Sequence, residues 1–275
     1  MQRLLIVGFG DIARRFAERL PSGVEMRAIS RHLGADLDRP QTLAPFAGWA
    51  DTVLHTAPPH AEGDTDARTA TLLGLLGEGN PPRRFVYLGT SGVYGDCGGA
   101  FVDESRAVNP STARAKRRVD AERRLQEWCG LHDVALVVLR VPGIYAADRL
   151  PLERLRKGMP ALRDEEDSYT NHIHADDLAA ISLRACEADA PPGTYNASDD
   201  SEMKMGRWFD LVADRQGLPR PPRIARADAP GRLSPEMLTY AGESRRLVNA
   251  RMKRDLGIRL RYPTVFDGVP QAVPA

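Results

Sequence analysis

Residues 3–13, RLLIVGFGDIA, run an apolar strand into a glycine turn and then open a helix, and nothing else in the chain restricts the fold as much. Gly8, Gly10 and Ala13 give the pattern G-x-G-x-x-A. The first glycine permits a tight turn and the second lets backbone approach a diphosphate. A small residue in the third place lets helix and strand pack closely. Phosphates then meet free N–H groups at the helix start, which draws in Asp11 and Ile12 through their backbone. The pattern gains its force from lying between a strand and a helix.

Further short β-rich runs follow at 24–30, 51–57, 83–90 and 134–140, with helical stretches near 65–78 and 112–130. Strands that are apolar throughout, alternating with helices, predict a parallel sheet covered on both faces. The expected fold class is α/β, a Rossmann-type doubly wound parallel sheet with a small C-terminal substrate-side lobe. Residues 1–145 read as a dinucleotide-binding core, completed by about 168–198, with 146–167 and 199–275 as the smaller lobe. Five prolines between 219 and 243 predict irregular chain there. Residues 243–257 read as one helix stopped by Gly257, and Asp176 or Asp177 as the cap of a helix starting there. His55, Thr56, Ala57 and Pro58 end the third run on the carboxyl edge, where such sheets hold a cofactor.

At 275 residues, 42% hydrophobic, 27% charged and a net charge of +1, the chain reads as an ordinary soluble globule. The charge balance gives no reason to expect a nucleic-acid partner, and the basic stretch 244–254 has Glu243 and Asp255 beside it. No apolar run approaches a membrane span. Cys97, Cys129 and Cys186 are odd in number and widely spaced, which indicates a reduced, cytoplasmic protein without a disulfide framework. His172 and His174 share one strand face, but no further Cys/His set completes a metal site.

Where the second strand ends, an NAD-binding chain commonly carries a carboxylate for the ribose 2′-hydroxyl. Ser30 and Arg31 stand there. A guanidinium and a hydroxyl suit a 2′-phosphate, so the cofactor expected is NADP(H) in preference to NAD(H); a plain surface arginine is the alternative.

With these residues in place, the chain resembles the extended and atypical short-chain dehydrogenase/reductases, the NAD-dependent epimerase/dehydratase superfamily. The resemblance runs nearly end to end. LGTSGVYGD (88–96) is similar to the family strand with a catalytic Ser or Thr before a V-Y-G triplet, which implies a role for Thr90 and puts Tyr94 at the pocket edge. NPSTARAKRRVDAE (109–122) resembles the segment of the Tyr-x-x-x-Lys pair, with Lys116 retained and Thr112 in the tyrosine's place. LRVPGIY (139–145) is similar to the loop that meets the nicotinamide, implying Val141, Pro142 and Gly143. NHIHADDLAAI and YNASDD look like the later family segments, and the missing tyrosine and short length resemble the YeeZ-like branch.

The resemblance implies a small-molecule substrate and a homodimer through the long helices. On its alignment Thr112 and Lys116 share a helix face towards the cofactor ribose. A threonine hydroxyl cannot serve as general acid or base, so the usual proton donor is missing. Lys116 is either a ribose ligand or one of many solvated charges. Tyr94, Tyr145 and Tyr169 either pack or donate the proton, and Thr90 either polarises a carbonyl or packs. Asn171 either meets substrate or holds a turn. Three functions stand open: an NADP(H)-binding oxidoreductase or epimerase-like enzyme for a small polar or sugar-derived substrate, a non-catalytic NADP(H)-binding redox sensor or scaffold, and a module without ligand.

Overall fold

The computed structural model describes residues 1–272. Six parallel strands form its central sheet: β1 (Arg3–Val7), β2 (Glu25–Ile29), β3 (Thr52–His55), β4 (Arg84–Leu88), β5 (Ala135–Arg140) and β6 (Gly193–Asn196). Their spatial order is β6-β5-β4-β3-β1-β2. Helices α1 (Asp11–Ala17), α2 (Ala67–Gly77), α3 (Ala113–Leu131) and α4 (Ala175–Cys186) cover it.

Alternate residues of β1 enter opposite layers. Leu4 and Ile6 pack with Phe16 of α1 and Leu178 and Ile181 of α4, while Leu5 and Val7 pack with Leu72 and Leu76 of α2 and Leu125 of α3. Burial on both faces explains why these strands read as unbroken apolar runs. The doubly wound α/β sheet is therefore as expected. The chain steps from β1 outward to β2, then crosses back to β3 on β1's other side. Ligands of open α/β sheets bind in the crevice outside the carboxyl ends at such a reversal.

After Tyr145 the chain builds further apolar clusters, one around Leu155, Trp208, Phe209, Val212 and Val265 and another around Leu162, Ile224, Leu233 and Ala241. Helices α5 (Met205–Arg215) and α6 (Pro235–Ala241) belong to this part, whereas α7 (Ala250–Leu256) packs Met252 and Leu256 into the core of the sheet.

Three local expectations are corrected. The stretch 219–243 is not wholly irregular, because Pro235 opens α6 and the Ser234 hydroxyl accepts from Met237 N; proline suits a first helical position, whose N–H has no partner anyway. The helix expected over 243–257 is two elements. Residues Arg246–Leu247 pair with Phe101–Val102, and α7 follows, stopped by Gly257 at φ +65°. Arg246 N donates to Ala100 O and Val248 N to Val102 O, so pairing with a distant strand prevails over local helical preference. Neither Asp176 nor Asp177 caps α4. His174 Nδ1 accepts from Asp176 N, while the Asp177 carboxylate receives Arg261 N and Tyr262 N.

The three cysteines are free thiols, and burial pushes Cys129 and Cys186 up to about 12. Among the described residues no helix is long and apolar enough to cross a membrane, and no cluster of His, Cys, Asp or Glu could hold a metal ion.

Candidate functional site

The ends of β1, β2 and β3 are fastened together by the glycine turn. Gly8 has φ +89°, its N–H donates to Ile29 O (2.9 Å), and Thr56 Oγ1 donates to its carbonyl (2.6 Å). A Cβ at Gly8 would lie 2.6 Å from Ala57 N. Gly10 differs: its φ is −88°, and a Cβ there meets nothing within 4 Å. No side chain caps α1, so the approach to its first N–H groups is open, while Ile12 and Ala13 pack beneath. The arrangement fits a diphosphate seated at the turn.

At the end of β2, Ser30 O accepts from Leu33 and Ala35 N, yet the Ser30 and Arg31 side chains have no protein partner among the described residues. Both side chains are therefore uncommitted donors just beyond the carboxyl end of β2. Pro58 is exposed, and its carbonyl accepts from Arg68.

Beyond this crevice lies a cavity of about 480 Å³. Thr90, Ser91 and Gly92 after β4, Pro142 and Gly143 after β5, and residues of α3, α5 and α6 form its walls. Val141 itself is buried, its carbonyl accepting from Ser91 N. Thr90 Oγ1 accepts from Gly92 N at 3.2 Å, which leaves its own O–H to donate. A larger depression of about 820 Å³, lined by Gln2, Asp51 and Arg83, lies at the opposite, amino edge of the sheet.

The register expected on α3 does not hold. Thr112 is the N-cap, its hydroxyl accepting from Ala115 N at 3.1 Å. Lys116 does not line the cavity; its ammonium pairs with Asp64 at 3.2 Å on the surface. Thr112, Arg114 and Ala115 line the cavity, and Arg114 is hydrogen-bonded to Tyr240 of α6 at 2.5 Å. One turn on, Arg118 reaches back to Tyr87 OH (2.9 Å) and Leu88 O (3.2 Å) at the end of β4. Residues 114, 118 and 122 form one i, i+4 stripe, and Glu122 is buried against Arg140. Of these guanidiniums Arg118 reaches the end of β4 and Arg114 the cavity wall, while the Lys116 ammonium does neither.

The tyrosines sort equally plainly. Tyr94 is 1% exposed, donates to Asn196 Oδ1 at 2.9 Å, and is not a cavity residue, which favours packing over proton donation and corrects its expected place at the pocket edge. Tyr145 lines the cavity, but its hydroxyl donates to Thr264 O, and burial raises its pKa far above the usual range. Tyr240 donates to Glu236. Tyr169 lines the cavity with a hydroxyl that has no partner among the described residues. Asn171 borders the cavity, yet its amide donates to Arg245 O and its Oδ1 accepts from Leu247 N, which fastens the neighbouring strand.

His172 also lines the cavity, and burial pushes its pKa down to about 3, so its imidazole is neutral near pH 7. His55, where β3 ends, is held by Thr69 and pushed down to about 4, chiefly by burial. Asp199, just beyond β6, goes the other way: burial raises it to about 7, and Oδ2 has no partner. Between its ordinary 3.8 and about 7 the native state keeps a proton that the unfolded chain has released, so stability falls as pH rises through that window. We expect Asp199→Asn to flatten this slope. At pH 8 it should melt roughly 5 °C higher than the parent and at pH 4 gain nothing, as thermal melts across pH will read.

Arg114, Arg149, Arg245, Trp208 and Tyr240 are cavity residues that no motif announced. For Arg114 a signal existed: its spacing of four and eight from Arg118 and Glu122. The others come from distant segments with no shared pattern.

A family model for the NAD dependent epimerase/dehydratase family matches residues 30–198. The chain belongs to that family. The matched span of this epimerase/dehydratase chain includes Thr90, α3 and Pro142–Gly143, and it starts after the glycine turn. Among solved structures, a functionally unknown conserved protein from Silicibacter pomeroyi is 29% identical, with 98% of this chain and 97% of that one covered at a TM-score of 0.81. The human epimerase family protein SDR39U1, solved with NADPH, is 17% identical over 97% of each chain at 0.76. UDP-glucose 4-epimerase of Thermus thermophilus, solved with NAD, is 18% identical over 97% and 96% at 0.76. The last two likenesses establish a shared fold. A search of the curated proteins finds no match.

Proposed function

We propose that this chain is an NADP(H)-dependent oxidoreductase or epimerase-type enzyme, a YeeZ-like atypical member of its family, acting on a small polar or sugar-derived substrate. The reading rests on one juxtaposition. The open approach at Gly10 and the cavity behind Thr90 and Gly143 are joined through Arg149, a cavity residue that bonds to Asp11 in the turn. The human relative solved with NADPH and the free donors of Ser30 and Arg31 favour the phosphorylated cofactor.

When bound, the cofactor supplies hydride exchange. Thr90 then offers its O–H to a substrate oxygen, and Arg114 offers a cation to substrate in the cavity. The proton comes from a hydroxyl not otherwise engaged, and among the cavity tyrosines that is Tyr169. His172 is neutral near pH 7, and the N–H it keeps is too weak an acid to supply the proton. The same reading makes the protein a cytoplasmic homodimer through its long helices, which gel filtration will test.

A second reading, a non-catalytic NADP(H)-binding sensor or scaffold, draws on α3, which offers Arg114 and Arg118 where alcohol chemistry uses a phenol and an ammonium. Calorimetric titration tests the cofactor that both readings share. NADPH should bind at least about tenfold more tightly than NADH, and Arg31→Glu should abolish the preference, as expected for the loss of a charge-assisted hydrogen bond. NADPH consumption with a panel of carbonyl and sugar-nucleotide substrates then favours the enzyme, and its absence the sensor. Folded, cofactor-free protein that binds neither nucleotide overturns both readings.

A further inference from the structure

Asp11 opens α1 beside Gly10, so a carboxylate stands next to the place where the reading above seats two phosphates. Its charge is met by two cations: Arg15 Nε reaches Oδ1 at 3.0 Å and Arg149 Nη1 reaches Oδ2 at 2.9 Å. Arg15 has further work. Its Nη2 is bidentate to Asp148 (2.9 and 2.8 Å), and its Nη1 bonds to Asp176 at 3.0 Å. Asp176 also receives Arg19 at 3.2 Å. The cluster therefore holds Arg15, Arg19 and Arg149 against Asp11, Asp148 and Asp176, and it is neutral before any ligand arrives.

A diphosphate brings extra negative charge to this cluster, beside Asp11. Arg15 is largely committed, because Nε, Nη1 and Nη2 each already serve an aspartate. Arg149 has donors to spare: among the described residues only its Nη1 is engaged, which leaves Nε and Nη2 free. It sits half-exposed in the turn Ala147–Arg149, which Asp148 anchors to α1 through Arg15, and it also lines the substrate cavity.

We propose that Arg149 is the residue that binds the cofactor's diphosphate from the substrate side, sharing or exchanging Asp11 for phosphate when cofactor enters. Its place in the cavity wall then makes cofactor loading shape the mouth through which substrate passes. The inference rests on the cofactor reading given above and adds a named ligand to it.

The test uses opposite signs. If Arg149 reads phosphate, Arg149→Met weakens NADPH binding about tenfold to a hundredfold in calorimetry. Asp11→Asn removes a like charge and tightens binding by about threefold. Adenosine 2′-monophosphate, which lacks the diphosphate, binds parent and both variants alike. If the ion pair only straps the turn to α1, both substitutions loosen the same contact and weaken NADPH to the same degree, which overturns the proposal. So does an Arg149→Met variant with parental affinity. Arg149→Lys, which keeps the charge, should recover most of the affinity and guards against a folding artefact, together with thermal melts of each variant. Parent protein that is folded and binds no NADPH overturns the cofactor reading itself, an outcome separate from an unresponsive Arg149.

Discussion

Arg140→Met should lower stability by about 3–5 kcal/mol, the cost of leaving a buried carboxylate without its partner. Arg140 ends β5, and its Nη2 and Nε reach Glu122 on α3 at 2.8 and 3.3 Å. Both side chains are under 10% exposed, so no water stands ready to solvate what the substitution uncovers. The Arg140 guanidinium lies 4.7 Å from the centre of the Tyr94 ring. A Cβ at Gly89, directly before Thr90, would stand 3.3 Å from Glu122 Oε1. The pair thus sits behind the strand end that carries Thr90, and removing one member disturbs the cavity wall as well as the core. Glu122→Leu alone should cost a similar amount, because it leaves a buried guanidinium. The double variant Glu122→Leu/Arg140→Met should lose markedly less than the two single losses together, since no charge remains unpaired. Urea unfolding of the four proteins measures this, and strict additivity would show that the two charges do not depend on each other.

How much of this was readable in advance depends on where each residue's partners lie. The inner strands β1, β3, β4 and β5 were legible because burial on both faces leaves few polar letters in them, and the glycine turn because its requirements are local. The register of α3 was not. Its sequence, ARAKRRVDAERRLQEWCGL, carries charge on every face, and its buried members include Arg117 and Glu122. Apolar periodicity therefore gives no phase, and the eye settles on Thr112 and Lys116 by analogy. Thr112 in fact spends its hydroxyl starting the helix, a role that threonine performs well at an N-cap. Cavity walls from α5 and α6 escaped for a different reason. Helix α5 is placed by the two-residue strand before it, Met203–Lys204, whose hydrogen bonds to Tyr169–Thr170 join distant segments and leave no periodic trace. Tyr94 misled because a V-Y-G triplet says nothing of Asn196, which takes its hydroxyl from more than 100 residues away in sequence.

Gly8→Ala and Gly10→Ala, two residues apart, should fail in different ways. At Gly8 the backbone is at φ +89°, which side-chain-bearing residues rarely adopt, and the new methyl would lie 2.6 Å from Ala57 N and 2.7 Å from Ala57 Cα. Neither strand end can retreat: Gly8 N is bonded to Ile29 O and Ala57 N to Val7 O, each at 2.9 Å. Backbone strain and overpacking together put the loss at about 3 kcal/mol or more. Gly10 is different, because φ −88° and ψ −162° are open to alanine and its methyl meets no protein atom within 4 Å. Gly10→Ala should therefore melt within about 1 °C of the parent, yet bind NADPH at least tenfold more weakly, because the methyl takes the space through which backbone approaches phosphate. Stability without binding at Gly10, beside instability at Gly8, would separate the glycine that shapes the turn from the glycine that serves the ligand. Full NADPH affinity in Gly10→Ala would mean that the phosphates lie elsewhere, and the case for Arg149 as their ligand would fall with it.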